Sequence, residues 1–345
     1  MIKMAKRSVV IFAFLVTFIM LISSSFIIPS SAYNSGAQHS NKTAIVWMGL
    51  EITGENITSD LLSISAHREE LTGVSYEHYV LSSQGELEPI FMITNVTHSI
   101  KSFGLETFPM IISANLNDIE YLLSHPTNFI SSAVSQAVTF GYTGYNIDFE
   151  PPQTANSSVA LQYSIFLSTF ANALHEKGIE LTVDIASWNS FWNFDELNNT
   201  SADMLYDMDT YASPLLNFGF ALENAVTQIS LQKLGVGLIT TNVNNGSNLS
   251  SVSVRSRFQS LESDNVSNVA VWDMPLNSYW WSYLSLFLGV KHSIIPFPLL
   301  YLLFIAVPVI IAIAVYLGVK SNKRKRLNPK NVKPETMEHK GENKK

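Results

Sequence analysis

The chain has 345 residues, 47% of them hydrophobic, no cysteine and a formal net charge of −7. The apolar content excludes a disordered chain, and the lack of cysteine excludes disulfide staples and thiol chemistry. The acidic balance excludes nucleic acid as the partner.

Lys3, Lys6 and Arg7 precede an apolar run from Val9 to Ile22, and Ser30-Ser31-Ala32 offers small residues for cleavage. That is the layout of a secretory signal peptide over residues 1–32. Residues 33–290 read as one folded domain. Its predicted strands are, in order, Ala44 to Leu50, Val74 to Leu81, Pro109 to Ser113, Tyr145 to Glu150, Leu181 to Ser187, Met204 to Tyr211, Gly235 to Thr240 and Val269 to Asp273. Ala133 to Phe140 reads as helix. A clear helix, Val159 to Lys177, separates the fourth strand from the fifth: Leu161, Ile165, Phe166, Phe170, Ala173 and Leu174 follow helical spacing, and Gly178 stands just past its end. Strands alternating with helices define an α/β chain with a parallel sheet.

The chain ends give it a direction. Ile294 to Val319 is apolar throughout, enough for a membrane span of roughly 20 residues over residues 294–319. Lys320, Lys323, Arg324, Lys325 and Arg326 follow at once, which puts the tail, residues 320–345, on the cytoplasmic side and the folded domain outside. The basic start of the tail suits anionic lipid headgroups. Trp280 and Trp281, just before the run, are expected as membrane-interface anchors. Asn41, Asn56, Asn95, Asn156, Asn198, Asn199, Asn245, Asn248 and Asn265 each begin an Asn-x-Ser/Thr sequon, and none lies in the tail, the pattern of a glycosylated surface protein.

The stretch Tyr145-Asn146-Ile147-Asp148-Phe149-Glu150-Pro151-Pro152 carries the chemistry. Strand side chains repeat every two residues, so Asn146, Asp148 and Glu150 share one face and Tyr145, Ile147 and Phe149 the other. Two carboxyls side by side resist joint ionisation, and one tends to keep its proton near neutral pH. A carboxylic acid beside a carboxylate is the equipment of glycoside hydrolysis. Other chemistries find no footing: the histidines lie far apart without metal-ligand spacing, no Gly-x-Ser-x-Gly elbow occurs, and Gly235-Val236-Gly237 lacks the rest of a dinucleotide fingerprint. No metal or organic cofactor is expected.

Thr143-Gly144-Tyr145-Asn146-Ile147-Asp148-Phe149-Glu150 resembles the signature of glycoside hydrolase family 18, the chitinase-like enzymes, Asp-Gly-x-Asp-x-Asp-x-Glu at the end of barrel strand four. Thr143 and Asn146 stand where that pattern has its first two Asp residues. The resemblance implies a (β/α)8 TIM barrel, which the strand count and the length of residues 41–290 accommodate. It implies Glu150 as general acid and Asp148 as the residue that orients the substrate's acetamido group, with Asn146 beside them as a substrate-binding residue able to donate a hydrogen bond to Asp148. Trp272 resembles the strand-eight tryptophan that floors the sugar subsite, and Ser113-Ala114-Asn115 sits where the family has Ser-x-Gly-Gly. On strand six, Met204-Leu205-Tyr206-Asp207 matches the family's Met-x-Tyr-Asp literally. That register leaves almost no strand before it, so the preferred reading turns Asp207, Asp209 and Tyr211 to the barrel mouth, with Tyr211 facing substrate, and Met204, Tyr206 and Met208 toward the helices. Trp188, after strand five, is a candidate sugar platform.

The implied activity is hydrolysis of β-linked N-acetylglucosamine-containing glycans with retention, the substrate's own acetamido oxygen acting as nucleophile. The alternatives are a chitinase-like glycan-binding surface protein without catalysis, and a structural surface protein in which Asp148 and Glu150 are incidental.

Overall fold

A computed structural model describes residues 42–50, 57–90, 94–290, 310–311 and 313–317. Residues 1–290 form one compact unit and residues 291–345 a second. The proposed signal peptide and most of the proposed span lie outside the described residues. Of the 294–319 run, Ile310, Ile311 and Ile313 to Leu317 are described, as helix. Among the described residues, no helix is long and apolar enough to cross a membrane.

The first unit is built on eight parallel strands: β1 (Thr43–Met48), β2 (Gly73–Leu81), β4 (Glu106–Ser113), β5 (Gly144–Phe149), β6 (Glu180–Ile185), β7 (Met204–Asp207), β8 (Leu234–Ile239) and β9 (Asn268–Trp272). Each pairs with the next, and β9 pairs with β1 while β1 pairs with β2, so the sheet closes into a barrel. A short β3 (Leu87–Pro89), absent from the sequence reading, folds back antiparallel on β2. The helices are α1 (Ile57–Ala66), α2 (Thr94–Ser102), α3 (Leu116–Ser124), α4 (Pro126–Phe140), α5 (Ser157–His175), α6 (Phe194–Asn198), α7 (Leu215–Gln228), α8 (Ser251–Ser263) and α9 (Ser278–Leu288). Strands followed by helices around a closed parallel barrel make this a (β/α)8 fold.

The core has two layers, as strand alternation requires. Between strands and helices lie Val46, Tyr145, Ile147, Phe149, Val183, Leu205 and Val236 with the buried faces of the helices. Inside the barrel, Ile45, Trp47, Met110, Tyr206 and Ala270 pack together, with Ile112, Met204, Tyr211 and Trp272 against them. The glycines of β8 follow from this filling. A Cβ on Gly235 would sit 2.2 Å from a Tyr206 ring carbon, and one on Gly237 would sit 2.8 Å from the Asp207 carbonyl oxygen. Gly235-x-Gly237 thus makes room for large neighbours on β7.

Helix α5 shows how local sequence sets an element. Asn156 caps it, its side chain accepting from the Ser158 and Val159 amides, and Gly178 leaves the following turn at φ 70°. Val159, Tyr163, Phe166, Phe170 and Leu174 form the buried stripe. Leu161 and Ile165, read from the sequence as part of that stripe, are 47% and 57% exposed. The pattern was apolar over more than one face, and packing chose the face that includes Tyr163.

Two further expectations are corrected. Trp280 and Trp281 are not interface anchors: both are buried in α9, where Trp281 stacks on His67 with ring centroids 4.4 Å apart. On β7 the faces are reversed relative to the preferred reading. Met204 and Tyr206 point into the barrel, whereas Leu205 packs outward. The strand stops at Asp207, and a 3₁₀ turn, Asp209–Tyr211, follows. That turn, rather than strand parity, brings Tyr211 back over the barrel interior.

Candidate active site

The carboxyl ends of the barrel strands converge on a cluster of acids. Asp148 is the penultimate residue of β5, level with Ile112 of β4, and the backbone amide of Glu150 donates to the Ser113 carbonyl over 2.8 Å. That bond pins the end of β5 to β4 and holds Asp148 and Glu150 two residues apart on the inward face. Glu150 is exposed at the mouth and Asp148 is half-buried. Asp148 Oδ1 is sealed from solvent and makes no hydrogen bond.

Beneath them Asn146 is the hub of the barrel interior, 0% exposed. Its Oδ1 accepts from Trp47 Nε1 and from Ser75 Oγ, each over 3.2 Å. Its Nδ2 donates to Thr182 Oγ1 and to Asp184 Oδ1, each over 3.0 Å. Because an indole nitrogen can only donate, the amide has one orientation. The sequence reading gave Asn146 to substrate and to Asp148. The structure corrects both: its hydrogen bonds join β1, β2, β5 and β6 below the site.

The electrostatics follow from burial and from like charge. Asp148 is held well above the usual carboxylate range, first by burial, then by the neighbouring Asp184 and Glu150 charges, a hydrogen bond shared with Glu150, and Glu77. Glu150 is raised by burial, and its hydrogen bond with Asp148 acts in the opposite direction. Asp184 is also raised well above the usual range by burial, with the Asn146 hydrogen bond opposing and Glu150 adding. Ionisation of one carboxyl of the Asp148–Glu150 pair therefore opposes ionisation of the other.

Tyr211 completes the wall. Its ring meets Trp47 edge-on, centroids 6.5 Å apart. Burial and the charges of Asp184, Asp148, Glu150 and Asp273 push its hydroxyl well up, so it stays a neutral donor among acids. Arg257, buried on α8, donates from Nη2 to the Ala212 carbonyl over 2.9 Å and anchors the chain just past Tyr211. Trp272 ends β9 against the inner cluster. Asp209 Oδ2 accepts from the Ser187 amide over 2.8 Å and orders the loop after β6. Trp188 stands in that loop, 56% exposed, its ring edge-on to Trp192.

The structure thus brings together Asp148, Glu150, Tyr211 and Trp272 from the residues singled out in the sequence, and places Asn146, Asp209 and Trp188 around them in other positions. It adds Asp184, Trp47 and Glu77, which the sequence reading missed. Thr182 and Asp184 were legible as polar residues two apart on an otherwise apolar strand. Among the described residues no group of three or more histidine or acidic side chains is arranged to hold a metal ion.

A (β/α)8 barrel with paired carboxyls at its carboxyl-terminal face is the class defined so far. No family model matches the chain, and no curated protein matches it. Solved structures share the fold. The Bacillus cereus spore cortex-lytic enzyme SleL superposes with a TM-score of 0.61 at 13% identity, over 70% of this chain and 73% of that one. A chitinase from Chromobacterium violaceum ATCC 12472 gives 0.61 at 12% identity, over 72% and 100%. A mutant of the Ostrinia furnacalis Group II chitinase catalytic domain 2, in complex with the chitooligosaccharide (NAG)5, gives 0.59 at 10% identity, over 73% and 98%. At these identities the likeness is one of fold.

Proposed function

We propose that the chain is a chitinase-like glycoside hydrolase that cleaves β-linked N-acetylglucosamine-containing glycans with retention, without metal or cofactor. The observation that carries this reading is the Asp148–Glu150 pair, two neighbouring carboxyls on the inward face at the mouth of the barrel, both raised above the ordinary carboxylate range first by burial. Glu150, the more exposed of the two, delivers a proton to the glycosidic oxygen. The acetamido oxygen of the substrate attacks the anomeric carbon, the leaving sugar departs, and an oxazolinium forms. Asp148 accepts the acetamido N–H and balances the positive charge. Glu150, now a carboxylate, draws a proton from the water that opens the ring, and the second displacement restores the original configuration. Tyr211 supplies a neutral donor to the sugar, Trp272 an apolar floor, and Trp188 an outlying platform. The chitooligosaccharide bound to one fold neighbour is of the same substrate class.

Incubating residues 33–290 with N-acetylated chitooligosaccharides tests this. Initial product in the β-anomeric form supports the reading. Sugar binding with no product at any pH would replace it with the glycan-binding alternative.

The same proposal places the barrel outside the cell, with a signal peptide at 1–32, an anchor at 294–319 and a cytoplasmic tail at 320–345. It rests on basic residues flanking both apolar runs. Protease added to intact cells should remove the barrel and leave the tail protected, whereas a protected barrel would reverse the orientation.

A further inference from the structure

Among the described residues, Asp184 is the acid of the barrel interior whose presence no motif requires. It is 2% exposed, on the inward face of β6. The β5–β6 ladder ends at the pair Ile147 and Val183, so Asp148 and Asp184 leave the two strands side by side. The hydrogen bond that reaches Asp184 comes from Asn146 Nδ2, and that amide is locked in orientation by the Trp47 indole. Position 146 on β5 thus carries an amide, while the carboxyl it meets stands on β6 two residues beyond its register partner Thr182. The groups that act electrostatically with this carboxyl are Asp148 and Glu150 at the end of β5, Tyr206 from β7, Tyr211 from the following turn, and Tyr163 from α5. Glu77 of β2 acts on Asp148 and Asp273 on Tyr211. Among the described residues no cation acts on Asp148, Glu150 or Asp184. With only acids and phenols present, the negative charge of the cluster is limited by protons.

We propose that Asp184 is a positioning residue for the Asp148–Glu150 pair, a buried carboxyl beside Asp148 on the neighbouring strand whose negative charge, once formed, opposes ionisation of that pair. This rests on the hydrolase reading for its catalytic consequence, but not for its physical content. Asp184 touches no substrate. Once ionised, it disfavours ionisation of Asp148, which Glu150 also opposes.

Asp184→Asn is the discriminating variant. It keeps an Oδ1 that can accept from Asn146 Nδ2, so a merely structural role predicts unchanged titration. Loss of the charge predicts that the pair releases its proton more readily. Titration of aspartate carboxyl carbons by NMR, with Asp148 assigned by an Asp148→Asn spectrum, should show its midpoint moving acidward by about one pH unit or more. The basic limb of kcat/KM on an N-acetylated chitooligosaccharide should move the same way. The exchange Asn146→Asp with Asp184→Asn keeps one amide and one carboxyl in contact across the strands, and should return both readouts toward wild type even where a single variant folds poorly. An Asp148 midpoint that stays put or rises in Asp184→Asn overturns the proposal. Wild-type protein that turns over no substrate would instead remove the hydrolase reading, while the NMR titration still decides the role of Asp184.

Discussion

Glu150→Gln is expected to lower turnover of an N-acetylated chitooligosaccharide by about a hundredfold to ten-thousandfold, the range that general acid-base catalysis spans. Glutamine preserves size and one acceptor oxygen but holds no transferable proton. Glu150 is exposed at the mouth and its backbone bond to Ser113 is untouched, so the fold should be unaltered. Affinity for the oligosaccharide should survive, because Asp148, Tyr211 and Trp272 remain in place. The kinetic signature is a fall in kcat with KM little changed, since the lost interaction operates in the transition state. Asp148→Asn should also impair turnover. Full turnover by Glu150→Gln would show that the carboxyls of β5 are not the catalytic machinery.

Parts of this architecture were legible in the sequence, and the reasons differ between elements. Each of the eight barrel strands lies within a few residues of its predicted position, because a buried parallel strand is a short apolar run between turn signals and the chain repeats that unit around the barrel. β5 was readable residue by residue, since acids and an amide alternate with large apolar side chains. β7 was not. Alternation carries information only while the backbone stays extended, and at Met208 it turns to φ −88° and ψ −11°. Parity therefore put Asp207 and Asp209 at the mouth with Tyr211, whereas Asp207 is buried outside the barrel and its Oδ1 accepts from the Asp209 amide over 3.1 Å.

The other misses share a cause. Trp280 and Trp281 were read from their place beside an apolar run, although Trp280, Leu284 and Phe287 are spaced as one face of a helix and are all buried. Asp184 needed the register between two strands that are 36 residues apart at their paired positions, Asn146 and Thr182, which a linear pattern does not contain. Asn146 looked like a member of the catalytic face because it shares the parity of Asp148 and Glu150. Its depth in the barrel, two residues below Asp148, is what removes it from the surface.

Asn146→Asp should make the fold pH-dependent in a direction opposite to ordinary acid denaturation. The new carboxyl would be fully buried and would face Asp184 across a contact that is 3.0 Å in the native protein. Burial and like charge both raise its folded pKa above the unfolded value of about 3.9. Such a group contributes stability that is fully present below the unfolded pKa and is lost as pH rises through the folded pKa. Near pH 4 the new carboxyl, still protonated in the folded state, accepts from Trp47 and Ser75 and donates one hydrogen bond, so the variant should be only slightly weaker than wild type. By pH 8 a shift of two units or more would cost about 3 kcal/mol, since each unit corresponds to about 1.4 kcal/mol. For a domain of this size that is on the order of a 10 °C fall in Tm. Urea unfolding of both proteins from pH 4 to pH 8 measures the difference directly, and it should widen steadily toward high pH. Adding Asp184→Asn should close most of the gap, because an amide then faces the carboxyl again. A difference that is constant with pH, or that grows toward acid, would mean that the interior at Asn146 and Asp184 is open to solvent or to a counter-ion, and that the buried charge limit drawn from this structure does not hold.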